Sequence, residues 1–344
     1  MRTFYIGMKE QLLAIHETEE GYEFSTPLKG VKPNRLALDA HDDARMYLAA
    51  DEGLWLSEDN GVTWQQNEFT FGDAERMTSV AVNPRRQTNG HSTVYVGTEP
   101  SRMYYSEDSG ESWTEFTGIQ ELPSKNQWAF PPRPETHFVR WITPSETDED
   151  YIAVSVEAGA VFFTTDHGKT WNDRAESSPI DVHTLLKHPD DPARLFAANG
   201  GLATDGKRGS YAESSDGGHS WDFMSEGLEM HPYLYHMVLH PNKPGYRLVS
   251  ASKSASKAHG SERYSTIYEK VGDDPWVELA NGLPTQDAYS HHLANDPKNV
   301  SAYYALNNFG IFYMDEEADV WEPLELSWSN RFLEERPYFF VVKE

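Results

Sequence analysis

The chain contains no cysteine. Disulfide staples, thiolate nucleophiles and cysteine-based zinc sites are therefore excluded, and packing alone must hold the fold. No apolar run approaches the roughly 20 residues of a membrane-spanning helix. The apolar stretch within residues 1–7 is too short for a secretory leader, so the expected compartment is the cytoplasm. Cations are scarce: 29 Lys and Arg stand against 55 Asp and Glu, a formal net charge of −26. Such a surface repels phosphate backbones, which argues against nucleic acid as a partner. It also fits adaptation to high salt, where counter-ions screen self-repulsion. Chemical signatures are missing too. No Gly-Lys-Ser/Thr follows Gly200-Gly201, so there is no phosphate loop. Neither a nucleophile elbow nor a His-Glu-x-x-His helix is present.

What the chain has in plenty is aromatic residues, at 13%, punctuated by 24 Gly and 20 Pro. That mixture fits an all-β protein. Within it one motif recurs: Ser/Thr-x-Asp-x-Gly-x-x-Trp. It reads Ser57-Glu58-Asp59-Asn60-Gly61-Val62-Thr63-Trp64, then Ser106-Glu107-Asp108-Ser109-Gly110-Glu111-Ser112-Trp113, and returns at 164–171 and 214–221. Weaker copies stand at 17–24, which keeps an acid, the Gly and an aromatic residue, at 269–276, which keeps only the Trp, and at 314–321, which keeps an acid (Glu316) and the Trp. The seven copies are spaced by 40 to 58 residues, the size of a four-stranded propeller blade. Ser and Asp side chains bond backbone N–H groups in a tight turn, Gly supplies the unusual backbone shape, and Trp buries a large face against a neighbouring sheet. The Asp is thus read as a turn residue and not as a catalyst.

Strand-like runs flank each turn in a fixed order. The predicted fold is all-β: a seven-bladed β-propeller with Asp-box turns, one domain over 1–344. The blades are placed at about 31–75, 76–136, 137–180, 181–232, 233–287 and 288–330, with the last closed by strands from 331–344 and 1–30. Closure leaves no exposed inner edge.

The repeated motif resembles that of the Asp-box (BNR repeat) propeller superfamily, which includes sialidases, xyloglucanase-type glycoside hydrolases, sortilin-type receptors and photosystem II assembly factors. The resemblance covers essentially the whole chain and implies the propeller; its motif is architectural and assigns no activity. Sialidases of this group use three arginines, a Tyr nucleophile and an acid. Here Arg35 and Arg140 lie on inner strands, but no third inner arginine and no Tyr–Glu pair stands out, which argues against sialidase activity.

Long loops on a rigid scaffold are where function tends to sit. Three are expected on one face: 118–136 with Trp128, Phe130 and Arg133; 200–210 with Asp205, Lys207 and Arg208; and 252–262 with Lys253, Lys257, His259 and Glu262. The small, polar run 252–257 reads as a mobile lid or a disordered loop. Asp39, Asp42 and Asp43 read as a solvated turn on the far face.

Histidine gives a second signal. Blades one to six share a position after the inner strand that is usually proline (Ala40, Pro84, Pro144, Pro189, Pro241, Pro297). Of the eighteen positions lying seven to five residues earlier, five are histidine (His137, His183, His236, His291, His292), where 14 histidines in 344 residues would supply fewer than one. His231 and His259 can join from loops. Imidazoles are common ligands for divalent metals, so His183, His236 and His291 are candidate ligands for one zinc or manganese ion. The metal-free alternative makes His183 or His236 a general base with Glu157, or Glu99, as partner. His137, Arg140, His292, Lys207 and Trp128 are then candidate ligand-binding residues, with Trp128 a stacking face. The structural alternative is that the histidines, in two registers, point into opposite blade seams.

The function expected is binding of a small polar ligand, sugar-like or carboxylate-bearing, in a His-rich funnel, with hydrolysis or elimination as the chemistry. The alternative is a non-catalytic scaffold for a protein or peptide on the same face.

Overall fold

The computed structural model describes residues 1–201 and 209–344. Seven small antiparallel sheets form a seven-bladed β-propeller. The chain divides into two compact units, Val31–Phe223 and Met1–Gly30 with Met224–Glu344. Among the described residues, no helix is long and apolar enough to cross a membrane.

The unit Val31–Phe223 carries four blades. The first is Pro33–Leu38, Met46–Ala50, Gly53–Ser57 and Gln65–Gln66. The second is Arg76–Thr88, His91–Glu99, Met103–Ser106 and Thr114–Glu115. The third has three strands, Val139–Pro144, Ile152–Val156 and Ala160–Thr164, its fourth reduced to one bridge between Phe163 and Asn172. The fourth is Val182–Lys187, Leu195–Asn199, Tyr211–Ser214 and Asp222–Phe223. Apolar residues on both faces of the middle strands pack into the seams, and the turn tryptophans Trp113 and Trp221 are buried there.

The other unit carries three blades. The fifth is Tyr233–His240, Lys243–Ser252, Thr266–Val271 and Val277–Glu278. The sixth is His292–Asn295, Ala302–Asn307, Gly310–Asp315 and Glu322–Pro323. In the seventh, Phe339–Lys343 pairs antiparallel with Thr3–Met8, so strands from both ends share one sheet as expected.

Each complete turn ties its hydroxyl and its carboxylate to its own backbone. In the first, Ser57 Oγ accepts from the Gly61 N–H (2.9 Å) and donates to Asp59 (2.9 Å). Asp59 in turn accepts from the N–H and hydroxyl of Thr63 (2.9 and 2.6 Å). Ser112, Thr170 and Ser220 play the Thr63 part at Asp108, Asp166 and Asp216. The Thr63 hydroxyl first, then the Thr63 N–H and the Ser57 hydroxyl, hold the Asp59 carboxyl below its usual value against the opposing effect of burial.

Candidate functional site

A bulge builds the site. Inner strands three and four each slip register once, between Val139 and Trp141 and between Val182 and Thr184. The residues passed over are Arg140 and His183. A bulge re-aims such a side chain, and both turn toward Glu157, which follows strand Ile152–Val156. The Glu157 N–H is fixed on the Phe138 carbonyl (3.1 Å). Asp181 joins from the start of the fourth inner strand, its N–H donating to the Asn199 side chain (3.1 Å).

The four groups interlock. Arg140 Nε lies 3.3 Å from Glu157 Oε2, and His183 Nε2 lies 3.3 Å from Glu157 Oε1 and 3.9 Å from Asp181 Oδ1. The crowding depends on Gly200: a Cβ there would meet Asp181 Oδ2 at 2.1 Å and His183 Cε1 at 2.9 Å. Burial by itself would push the His183 imidazole down. The Glu157 and Asp181 carboxylates outweigh burial and the opposing Arg140, raising it to about 9. Burial pushes the Asp181 carboxyl up, reinforced by Glu157 and opposed by His183 and Arg140. One donor atom each from Glu157, Asp181 and His183 lie within 4.8 Å of one another, among the described residues the one such group able to hold a metal ion. His236 and His291 are not members of it.

A second ionic group sits one blade earlier. Glu99 is fully buried, paired with Arg76 and with Arg133 (2.8 Å), and Arg76 also reaches Asp51 (3.6 Å). Deeper on the inner strands, the Arg35 guanidinium lies 3.3 Å from the centre of the Trp141 ring.

The remaining expected residues scatter. His291 has no ring nitrogen to spare for a metal: Nδ1 faces Ser265 Oγ (2.8 Å) and Nε2 accepts from the Asn307 amide (3.0 Å). The Asn307 orientation is fixed because its oxygen accepts from the Phe309 N–H (2.7 Å). His236 Nδ1 accepts from the Leu293 N–H (3.3 Å), and His292 Nε2 faces the Pro337 carbonyl (3.1 Å). Those two rings do meet, with centres 5.5 Å apart. His137 Nδ1 accepts from the Ser101 N–H (3.3 Å). Trp128 is not a stacking face: it is 5% exposed, lies flat on Phe162 and donates to Ser124. The stretch before it folds into two short 3₁₀ helices, and Ile119 of the first and Leu122 between them enter the core, which explains its burial. Lys207, with Asp205 and Arg208, lies outside the described residues.

Three further expectations change. Asp39 is buried, accepting from Ser92 (2.5 Å) and from the His41 and Asp42 N–H groups. The expected lid is folded, with a helix at Ala255–His259 capped by Ser254. A Tyr–Glu pair exists at Tyr211 and Glu213 (3.0 Å), but Tyr211 is fully buried in its strand and offers no nucleophile.

Sequence reasoning missed Asp181 and misplaced Arg140. The hydrogen bond from the Ser145 N–H to Tyr151 matches that from His188 to Arg194, so Glu146, not Pro144, stands opposite Pro189. Corrected by two residues, blade three offers Arg140 where blade four has His183, and His137 leaves the aligned set.

Among known proteins, no family model matches the chain. An oligoxyloglucan-reducing end-specific xyloglucanase of Emericella nidulans is 24% identical over 154 residues, 40% of this chain and 17% of that protein. The chain thus spans about a sixth of the curated relative it matches. A GH74 enzyme of Niastella koreensis superposes with a TM-score of 0.65 at 16% identity, over 92% of this chain and 51% of that one. YCF48 bound to D1 peptide gives 0.57 at 17% identity, over 86% and 82%. The extracellular domain of the putative one component system BT4673 from B. thetaiotaomicron gives 0.55 at 10%, over 85% and 33%. At these identities the likeness establishes the propeller and nothing finer.

Proposed function

We propose that the chain is a ligand-binding propeller of the Asp-box type. It receives a small polar ligand, sugar-like or carboxylate-bearing, at the Arg140–Glu157–Asp181–His183 cluster and moves a proton on it in a hydrolysis or elimination. The observation that carries this reading is the unequal setting of two adjacent carboxylates. Glu157 faces two cations, whereas burial pushes Asp181 up. Carboxylates driven apart in this way divide the roles of acid and base. Asp181 is the proton donor, Glu157 the acceptor, and Arg140, 26% exposed, the group that meets a ligand carboxylate. The likeness to GH74 enzymes supports a sugar-like ligand.

A zinc or manganese ion would sit on Glu157, Asp181 and His183. It would first have to displace the His183 proton, which costs about 3 kcal/mol at pH 7 for a group raised to about 9. The reading therefore favours a metal-free site, with metal affinity growing toward alkaline pH.

A second reading, docking of a peptide, is favoured by the structure of YCF48 bound to D1 peptide, 82% of which this chain covers. One calorimetric titration separates the two, using xyloglucan oligosaccharides, uronic acids and unrelated acidic and basic peptides. Saturable binding of a saccharide or uronate, lost in Arg140→Ala and retained without turnover in Glu157→Gln, is the expected result. Binding of peptide alone, unaffected by either substitution, would replace the first reading with the second.

A further inference from the structure

The connection between strands Lys243–Ser252 and Thr266–Val271 is tied down along its length. Ser254 caps the helix Ala255–His259, and Ala258 is fully buried against Tyr233 and Tyr235. The Tyr264 N–H donates to the Lys257 carbonyl (2.9 Å), Ser290 to Ala258 (3.1 Å) and Asp287 to Arg263 (2.9 Å). These bonds hold open a cavity of about 530 Å³, within the size range of small-molecule sites.

Its walls reverse the character of the chain. Lys253, Lys257 and Arg263 line it with two carboxylates, Glu262 and Asp287, an excess of one positive charge on a molecule of net charge −26. The existing pairs are weak competitors. Lys257 pairs with Glu262 (2.5 Å), which is 82% exposed, and Arg263 with Glu334 (3.1 Å), which is 79% exposed. Such surface pairs contribute little and are readily exchanged. Lys253 has no carboxylate partner among the described residues and stands 6.0 Å over the Tyr264 ring. His231 stacks on Tyr264 (4.9 Å, 15°), and its Nδ1 faces the Tyr268 hydroxyl (2.8 Å). No described residue engages its Nε2.

We infer that this cavity is a second ligand site, separate from the carboxylate cluster, for a small molecule bearing a doubly charged oxyanion: a phosphate monoester or a dicarboxylate. Three cations exceed what a single carboxylate balances. Two ammonium groups supply point charge, while the guanidinium offers a fork to two oxygens. Lys253 and Lys257 are the residues whose loss should be felt most.

Isothermal titration of the full chain with inorganic phosphate, malonate and acetate, at constant ionic strength in chloride, tests the inference. Phosphate or malonate should bind saturably with acetate at least tenfold weaker, and the stronger of the two names the ligand class. The double variant Lys253→Ala/Lys257→Ala, whose side chains stand at the surface, should lose at least tenfold in affinity. Glu157→Gln should leave binding unchanged, which separates this site from the cluster. Equal affinity for acetate, equal binding by the double variant, or no phosphate or malonate binding at millimolar concentration would each overturn it.

Discussion

His183 and His291 occupy equivalent places, six residues before the proline that follows the inner strand of their blades, and both are buried. His183 lies between two carboxylates and is raised to about 9; His291 lies between a hydroxyl and an amide and is lowered to about 3. The backbone position therefore decides which seam a side chain enters, and the neighbour waiting there decides its charge. Each ring faces one residue of the preceding blade and one of its own: Glu157 and Asp181 for His183, Ser265 and Asn307 for His291. Burial dominates where no charge opposes it.

The contrast can be broken at either end. The largest effect is expected in acid. The unfolded chain takes up a proton at His291 near pH 6.5, and the folded chain refuses it down to about 3. Its contribution is complete above pH 6.5 and is lost as pH falls toward 3, on the order of 5 kcal/mol in all. Urea unfolding across that window should show His291→Gln with a flatter acid limb than the parent; matching slopes would refute the assignment. Next comes Glu157→Gln, which leaves His183 and Arg140 facing a neutral amide. Removing one partner of a buried pair costs roughly 3–5 kcal/mol at pH 7, and the His183 resonance in NMR should titrate below its parental value. The same substitution should abolish an alkaline loss. In the parent, the stabilisation by His183 is full below pH 6.5 and disappears as pH rises through about 9, the opposite sense to His291. The smallest effect belongs to the turns. Asp166→Asn loses charge-assisted bonds to Thr170 and should cost about 1 kcal/mol. Glu316→Gln, in a weak copy of the motif, should cost less in thermal melts.

The ring of blades was legible because its signal is local. A turn that fixes its own hydrogen bonds leaves the same letters wherever it occurs, and the hydroxyl before each tryptophan (Thr63, Ser112, Thr170, Ser220) belongs to that signal although the motif as first read left it free. The candidate site was only half legible. Glu157, Arg140 and His183 were named individually, but what joins them is a bulge, and bulges leave no letter in the chain. Asp181 was passed over because its importance comes from Gly200 across the sheet. Trp128 differs from its expectation because a long connection need not be an exposed one: Ile119 and Leu122 draw it into the core.

All four complete turns lie in Val31–Phe223, and all three degraded ones in the other unit. Trp64 and Trp113 bond the carbonyl of the glycine in their own turn (3.0 and 3.1 Å). Trp276 instead bonds Met224 and Glu226, and Trp321 bonds Leu279 and Asn281. A hairpin of the first kind is complete as soon as its own residues have left the ribosome. One of the second kind waits for an upstream stretch to be in place, so Trp276 and Trp321 fasten blades five and six to the stretches that lead into them.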